Sequence, residues 1–426
     1  MTFTTLLNYT IAKRLCGFAL ISLSLLCAHS PKADALPQFT LLTGNKCLNC
    51  HISTQGGGLR NELGWYMAKD MKLFSAHSVG LEFIEKAESN SLADGALIFG
   101  FDARVQMTRS PRTVNAETRF IPMQTAVYGA WIAAPWLTLE GMVDVGALAR
   151  QASGAGLPFA GQQAWSASAM IQPSLALPQL RIGHFQPSIG IRYDDHTMLV
   201  RQVAGANTIP IIAPNFAEYG AELNYDGLQW LSLSAGAYLP RSLAQIRTIN
   251  KYGESVPLLG DSLASAATAS NLGTLAASPS YLARFAISPR TDDHVFNSYF
   301  GASYFINRSF SMVNIFAGVG LTDRAALQGE YVLSGISEGR QTRNYSVMFT
   351  YQALSGLLPF VRFERGITQV SAPNATDGIA DLYSVQATIG AQIFPLPFIE
   401  LRPEFRYYDT ESFRSTRWNL QLHLYY

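Results

Sequence analysis

Trp418-Asn419-Leu420-Gln421-Leu422-His423-Leu424-Tyr425-Tyr426 alternates strictly, and that alternation decides how the rest of the chain is read. Trp418, Leu420, Leu422, Leu424 and Tyr426 share one face at period two, while Asn419, Gln421, His423 and Tyr425 share the other. A helical stripe would recur every three to four residues instead. The pattern returns upstream. In 383–394, Tyr383, Val385, Ala387, Ile389, Ala391 and Ile393 oppose Ser384, Gln386, Thr388, Gly390 and Gln392. In 97–108, Leu97, Phe99, Phe101, Ala103, Val105 and Met107 oppose Ile98, Gly100, Asp102, Arg104, Gln106 and Thr108.

About sixteen such segments are predicted after residue 95, most of them reaching the ~9–11 residues that a tilted membrane strand needs. They lie near 96–108, 119–133, 136–149, 163–175, 178–187, 215–226, 229–240 and 281–290. The others lie near 297–306, 309–322, 326–337, 341–353, 357–369, 381–394, 397–408 and 415–426. Connections alternate between tight ones, such as Ala134-Pro135, Leu177-Pro178, Asp226-Gly227 and Pro395-Leu396-Pro397, and long ones at 188–214, 240–280 and 370–380. Short periplasmic turns and long outer loops give that asymmetry. Asn307-Arg308, very short where a long loop is expected, breaks it.

Only 14% of the 426 residues are charged and 48% are apolar. A soluble β-sandwich or solenoid would carry more charge and shorter strands. The formal net charge of +1 gives no sign of a nucleic-acid partner. The expected fold for 95–426 is therefore an all-β, porin-like outer-membrane β-barrel of about sixteen antiparallel strands in contact with lipid. Arg104, Glu140, Asp144, Arg362, Glu364, Arg402, Glu404 and Arg406 fall on its inner face and are expected to form a solvated, mutually paired wall. Its final aromatic residue resembles the C-terminal signal of bacterial outer-membrane barrels.

Residues 1–35 read as a secretory signal peptide: Lys13 and Arg14, an apolar stretch from Leu15 to Ala28, then Ala33-Asp34-Ala35 for cleavage. Cys16 and Cys27 leave with it, so the mature chain keeps Cys47 and Cys50 alone. These sit in Cys47-Leu48-Asn49-Cys50-His51, the C-x-x-C-H pattern of covalent haem c attachment. Two thiols at this spacing match the two haem vinyls, and the adjoining His51 supplies the proximal iron ligand. A disulfide or a redox-active C-x-x-C is the rival reading, but no thioredoxin-like βαβ pattern surrounds it. Gln55-Gly56-Gly57-Gly58 is a turn, and Leu59 to Phe74 reads as a short amphipathic helix. Met67, Met71 and His77 are the candidates for a distal ligand, and the sequence leaves the choice open.

The order of signal, single C-x-x-C-H and barrel resembles the fused outer-membrane monohaem c-type cytochrome–porin family, which includes iron-oxidising cytochromes. Ala35-x-Pro37-x-Phe39, Thr43-Gly44 and Cys47-x-x-Cys50-His51 carry the resemblance. Thr40-Leu41-Leu42 and Gly56-Gly57-Gly58-Leu59-Arg60-Asn61-Glu62 depart from the family pattern, which places the chain on a divergent branch. The resemblance implies a small helical monohaem segment over 36–94, entering the lumen of a barrel over 95–426 from the periplasmic side. It implies one haem c, an extracellular donor such as Fe(II), a periplasmic c-type cytochrome as partner, and possible Fe(II):cytochrome c oxidoreductase activity. Electron export, or a solute porin with a haem-bearing plug or sensor, are the alternatives. No acid–base or nucleophilic constellation stands out. Asp194-Asp195-His196, in an expected outer loop, is a candidate Fe(II) docking point, against the plainer reading of a solvated loop; Asp292-Asp293-His294 repeats the triplet elsewhere.

Overall fold

The computed structural model describes residues 38–43, 47–54, 56–110, 118–153, 162–193, 195, 197–205, 209–213, 215–228, 230–259, 278–289, 296–321, 324–337, 339–371 and 379–426. The signal peptide, Asp194, His196 and the 292–294 triplet lie outside these residues.

Seventeen strands join in one sheet; one is the two-residue Ser91–Leu92, and the remaining 16 form the wall of a closed antiparallel barrel. In chain order β1 to β5 are Leu97–Arg109, Thr118–Ala134, Leu137–Asp144, Trp165–Ile171 and Gln179–Phe185. β6 to β10 are Glu218–Leu228, Leu231–Leu239, Ser280–Ile287, Phe296–Asn307 and Phe310–Leu321. β11 to β16 are Ala325–Ile336, Gln341–Tyr351, Leu357–Ser371, Ile379–Leu396, Ile399–Thr410 and Arg414–Tyr425. β16 pairs with β1 from Trp418↔Arg109 to Tyr425↔Asp102, so no edge is left open.

Each predicted segment overlaps one of these strands. The reason is visible in the burial alternation. Leu97, Phe99 and Phe101 are exposed while Ile98, Gly100 and Asp102 between them are buried; Trp418 and Leu420 are exposed while Asn419, Gln421 and His423 are buried. Large apolar side chains thus stand on the outside and polar ones within, the inverse of a soluble sandwich. This is a transmembrane barrel of the outer-membrane type. The tight Asn307–Phe310 turn is also present.

One predicted strand is too long. The alternation read over 136–149 ends at Asp144, where Asp144 Oδ1 accepts the Ala147 N–H at 3.0 Å and starts a helix, α5 (Val145–Ala152). An aspartate cap followed by Ala147, Leu148, Ala149, Arg150 and Gln151, all good helix formers, outweighs a weak period-two pattern. The strand read over 163–175 likewise shortens to β4.

Two bodies of chain fill the interior. The 186–217 connection, after β5, folds inward across the lumen. Backbone there has no ladder to join, so wall side chains satisfy it. Ser303 Oγ accepts Gly190 N–H at 2.9 Å, Glu330 accepts Ile191 N–H at 3.2 Å, and Glu364 accepts Val200 N–H at 3.2 Å. The Asn344 amide donates to Leu199, Val200 and Gln202 carbonyls at 3.1, 3.2 and 2.6 Å. Met198, Val200, Ile211 and Phe216 of this inner loop join Leu243, Ile246 and Leu258 and the wall residues Phe305, Phe310 and Met312 in one apolar core. That core fills the end of the barrel opposite the termini.

The N-terminal segment closes the other end. It comprises α1 (Gln38–Thr43), α2 (Cys47–Cys50), α3 (Glu62–Asp70) and α4 (Glu82–Glu85), so the helix read over 59–74 is confined to 62–70. Leu41, Leu42, Cys47 and Trp65 pack with wall residues Tyr299, Phe316, Leu358, Phe394 and Tyr425. Asn297 Nδ2 donates to Leu41 O at 3.1 Å, and Leu73 and Phe74 N–H groups donate to Phe394 and Pro395 carbonyls at 2.8 and 3.1 Å.

These positions give a direct test of orientation. With the termini end in the periplasm, a cysteine at Tyr252, 60% exposed at the far end, is expected to react with an impermeant maleimide on intact cells. A cysteine at Leu175, 79% exposed at the termini end, is expected to react after outer-membrane permeabilisation alone. The reverse labelling would invert the barrel.

Candidate functional site

α2 is a single turn, which brings Cys47 and Cys50 to one side of it and leaves His51 next in line; His51 N–H donates to Cys47 O at 2.8 Å. The chain then doubles back. His51 bridges Arg60, and Ile52 N–H donates to Leu59 O at 3.1 Å. The reversal needs Gly56, Gly57 and Gly58 at φ of 71°, 67° and 63°, three successive left-handed residues that side chains would strain. A Cβ on Gly56 would lie 3.1 Å from Cys47 Sγ and 3.8 Å from His51 Cδ2, so glycine keeps space over the motif.

Asn61 fixes α3 on the same motif. Its Oδ1 caps Gly64 N–H at 3.0 Å, and its Nδ2 donates to Leu48 and Asn49 carbonyls at 3.1 and 2.9 Å. A Cβ on Gly64 would collide with Cys50 O, which is how closely α3 approaches. That approach puts Met67 Sδ 3.5 Å from Cys50 Sγ. Trp65, fully buried, faces Phe398 and Tyr426 at ring distances of 5.4 and 5.7 Å.

Of the three predicted distal candidates, the structure brings Met67 to the cysteines. Met71 caps α3 and packs on the apolar cluster beside the wall. His77 points outward, its side chain 76% exposed and 2.7 Å from Glu82. No disulfide joins Cys47 to Cys50. Burial pushes the Cys47 thiol up to about 12, with the nearby Arg284 guanidinium pulling the other way. The donor set fits a haem c: two thiols one turn apart, an adjoining imidazole, a thioether alongside, and a glycine cradle above.

The charged wall differs from expectation in one respect. Most of it is paired, Asp144 being a helix cap, but apart from the half-buried Glu140 it is buried instead of solvated: Arg362 is 2% exposed and Glu364 is fully buried. Asp195 causes this. Far from being an exposed docking point for Fe(II), it sits inside the inner loop at 5% exposure. Arg362 and Arg406 each reach its Oδ2, at 2.9 and 3.0 Å, and Thr197 N–H donates to Oδ1 at 2.9 Å. Arg362 also bonds Glu364 at 2.9 Å, and Arg402 bonds Glu404 at 2.7 Å. Elsewhere in the wall, Arg181 pairs with Glu140. Sequence reasoning missed His423, whose ring nitrogens face Asp102 Oδ1 at 2.7 Å and Glu400 Oε2 at 3.0 Å. Its place on the polar face was readable; its two partners, on other strands, were not.

Asp195 is a latch with a checkable strength. Burial opposes its charge, but Arg406, Arg362 and Arg402 hold the carboxyl well below its ordinary 3.8. A depressed folded value stabilises above the unfolded one and is lost as pH falls through the folded one. The latch therefore keeps full strength at pH values well above 3.8 and yields only in strong acid. Asp195→Asn removes one of the two carboxylates that face Arg362 and Arg406, which keep Glu364 and Glu404, and is expected to cost about 1–3 kcal/mol. The gel temperature at which the folded barrel converts to the unfolded band measures it, and an unchanged temperature would refute the latch.

Geometry thus defines a closed, porin-like barrel with an inward-folded loop and an N-terminal plug that carries a C-x-x-C-H motif. No family model and no curated protein sequence matches the chain. Among solved structures it is similar to Salmonella typhi OmpF bound to daunomycin, at 13% identity over 79% of this chain and 99% of that one, TM-score 0.49. It is similar to a loop L8 deletion mutant of Vibrio cholerae OmpT at 11% identity over 78% and 99%, TM-score 0.49. Pseudomonas putida OprB shares 8% identity over 84% and 99%, also at a TM-score of 0.49.

Proposed function

We propose that this chain passes single electrons across the outer membrane, with one haem c held by Cys47, Cys50 and His51 in a plug that closes the barrel. Electrons would move between an extracellular donor, Fe(II) being a candidate, and a periplasmic c-type cytochrome. The observation that carries this reading is the position of the motif: Cys47 is 3% exposed within an apolar cluster built jointly by plug and wall. A bound haem supplies one-electron Fe(III)/Fe(II) exchange, at a potential set by its ligands, hydrogen bonds and burial. The chain's own residues anchor and enclose. Cys47 and Cys50 offer the thioether sulfurs, His51 a nitrogen ligand, and Met67 a thioether next to them. Trp65 and Leu41 keep water from the site, and burial of this kind favours the reduced state.

A solute porin with this segment as plug or sensor is the second reading. It is favoured by the wall of β1, β2 and β16, where Asp102, Gln106, Gln124, Gln421 and His423 present a polar inner surface. One preparation separates the two. In proteoliposomes, Fe(II) added outside is expected to bleach the oxidised haem spectrum while small sugars stay excluded. Sugar entry through the intact chain would favour the porin, and a redox titration of the same sample would set the direction of flow.

A further inference from the structure

Guanidiniums from three different elements surround the Cys47–His51 turn and its apolar cluster. Arg60 pairs with His51 through the backbone, and its guanidinium lies 4.4 Å over the ring of Tyr425, in the cluster that holds Cys47. Arg192, on the inner loop, donates to Gly56 O at 3.1 Å and lies against Gly57, where a Cβ would come within 2.7 Å of its Nε. Arg284, on β8, is 6% exposed and sits 5.0 Å from the ring centre of Phe316, a member of the apolar cluster that holds Cys47. Among the described residues, no carboxylate oxygen comes within 4.0 Å of any of them. Asp226, Glu222 and Glu330 act on Arg284, and Asp102 on Arg60, from further away.

Elsewhere in the lumen ion pairing prevails, with Arg340 as an exception that is fully buried and donates to Thr248 Oγ1 at 2.9 Å. Arg104, Arg181, Arg201, Arg362, Arg402 and Arg406 each have a carboxylate partner. Taking a cation out of water without its counter-charge is costly, and a fold that pairs six arginines has the means to pair three more. Among the described residues, Arg60, Arg192 and Arg284 nevertheless stand without a carboxylate partner around the C-x-x-C-H turn. We propose that Arg60, Arg192 and Arg284 form the site for two carboxylates of the group attached to Cys47 and Cys50, the haem propionates. This rests on the haem reading above. Guanidinium forks match carboxylates in charge and planarity, and Arg192 would tie the attached group to the inner loop as well as to the plug. Positive charge at this distance favours the added electron, so removing a cation should lower the haem potential.

The test uses the full chain matured with haem, beside Arg192→Gln, Arg284→Gln and Arg60→Gln, with folding checked by gel heat-modifiability. Arg192→Gln and Arg284→Gln are each expected to shift the reduced-to-oxidised ratio at fixed poise about tenfold toward oxidised, or about 59 mV for one electron. Arg192→Lys, which keeps charge and loses the fork, should recover most of that shift. Potentials unchanged in both glutamine variants would overturn the proposal, with the haem itself still in place. Inorganic phosphate at millimolar concentration should leave the wild-type potential unmoved. A phosphate-dependent shift that disappears in Arg192→Gln would assign the site to a free anion instead. A wild-type chain with no haem stain after denaturation would sink the underlying haem reading, a different failure read on a different gel.

Discussion

Deleting residues 36–94 is expected to turn a closed barrel into a conducting one. A barrel of this strand number is wide enough for an aqueous channel unless side chains or chain segments fill it. Here the filling comes in two parts with different owners. The inner loop and the 240–259 segment occupy the far end and are fastened to β6–β14, so the deletion leaves them in place. On the opposite side, Leu59 and Ile52 of the plug pack on Ile98, Ala126, Tyr128 and Ala130 of β1 and β2. Removing them uncovers a wall whose inward residues are polar. In planar bilayers the intact chain should show no steps, and the shortened chain should show stable, resolvable ones. Equal conductance of the two would mean that 36–94 is not a plug, and the electron reading would then need another seal.

Replacing both motif cysteines, Cys47→Ser with Cys50→Ser, is expected to abolish covalent haem while the barrel still assembles. The two effects separate because the wall closes through β16–β1 and β7–β8 pairing, neither of which involves the plug. The haem stain on a denaturing gel should vanish entirely, and the folded band should persist at somewhat lower temperature, since the Cys47 side of the apolar cluster has lost its partner. His51→Ala should keep the stain and lose the low-spin spectrum. Stain that survives in the double variant would mean that the group is held without the thiols. Retention of the stain in neither wild type nor variant would mean that no haem is attached.

Much of the wall was legible because a membrane barrel writes its structure residue by residue. Trp418 out, Asn419 in and Leu420 out follow from one rule applied along one strand, and the lipid enforces it at every position. The motif was legible for the same local reason, all of it lying within five residues. What escaped reading depends on distant partners. The strand that turned out to be α5 hinges on a single capping bond from Asp144. Asp195 sits in a connection with no period, and its partner Arg406 is 211 residues away in sequence. Arg192 belongs to the same stretch and meets Gly56 at a separation of 136. Charge on the inner face was foreseen; that an inward loop would bury it was not, because nothing in 186–217 announces which way the loop folds.

The enclosure of Cys47 also imposes a chronology on the molecule's making. Its thiol lies inside a wall that closes only when the last strand meets the first, with Thr108 bonded to Asn419 across 311 residues. Once that seam forms, and Leu41 is held by Asn297 across 256 residues, no enzyme can reach the thiol from either side of the membrane. Any covalent modification of Cys47 must therefore happen while the chain is still in transit and unsealed. The finished barrel records, in what its interior holds, whether that step was completed in time.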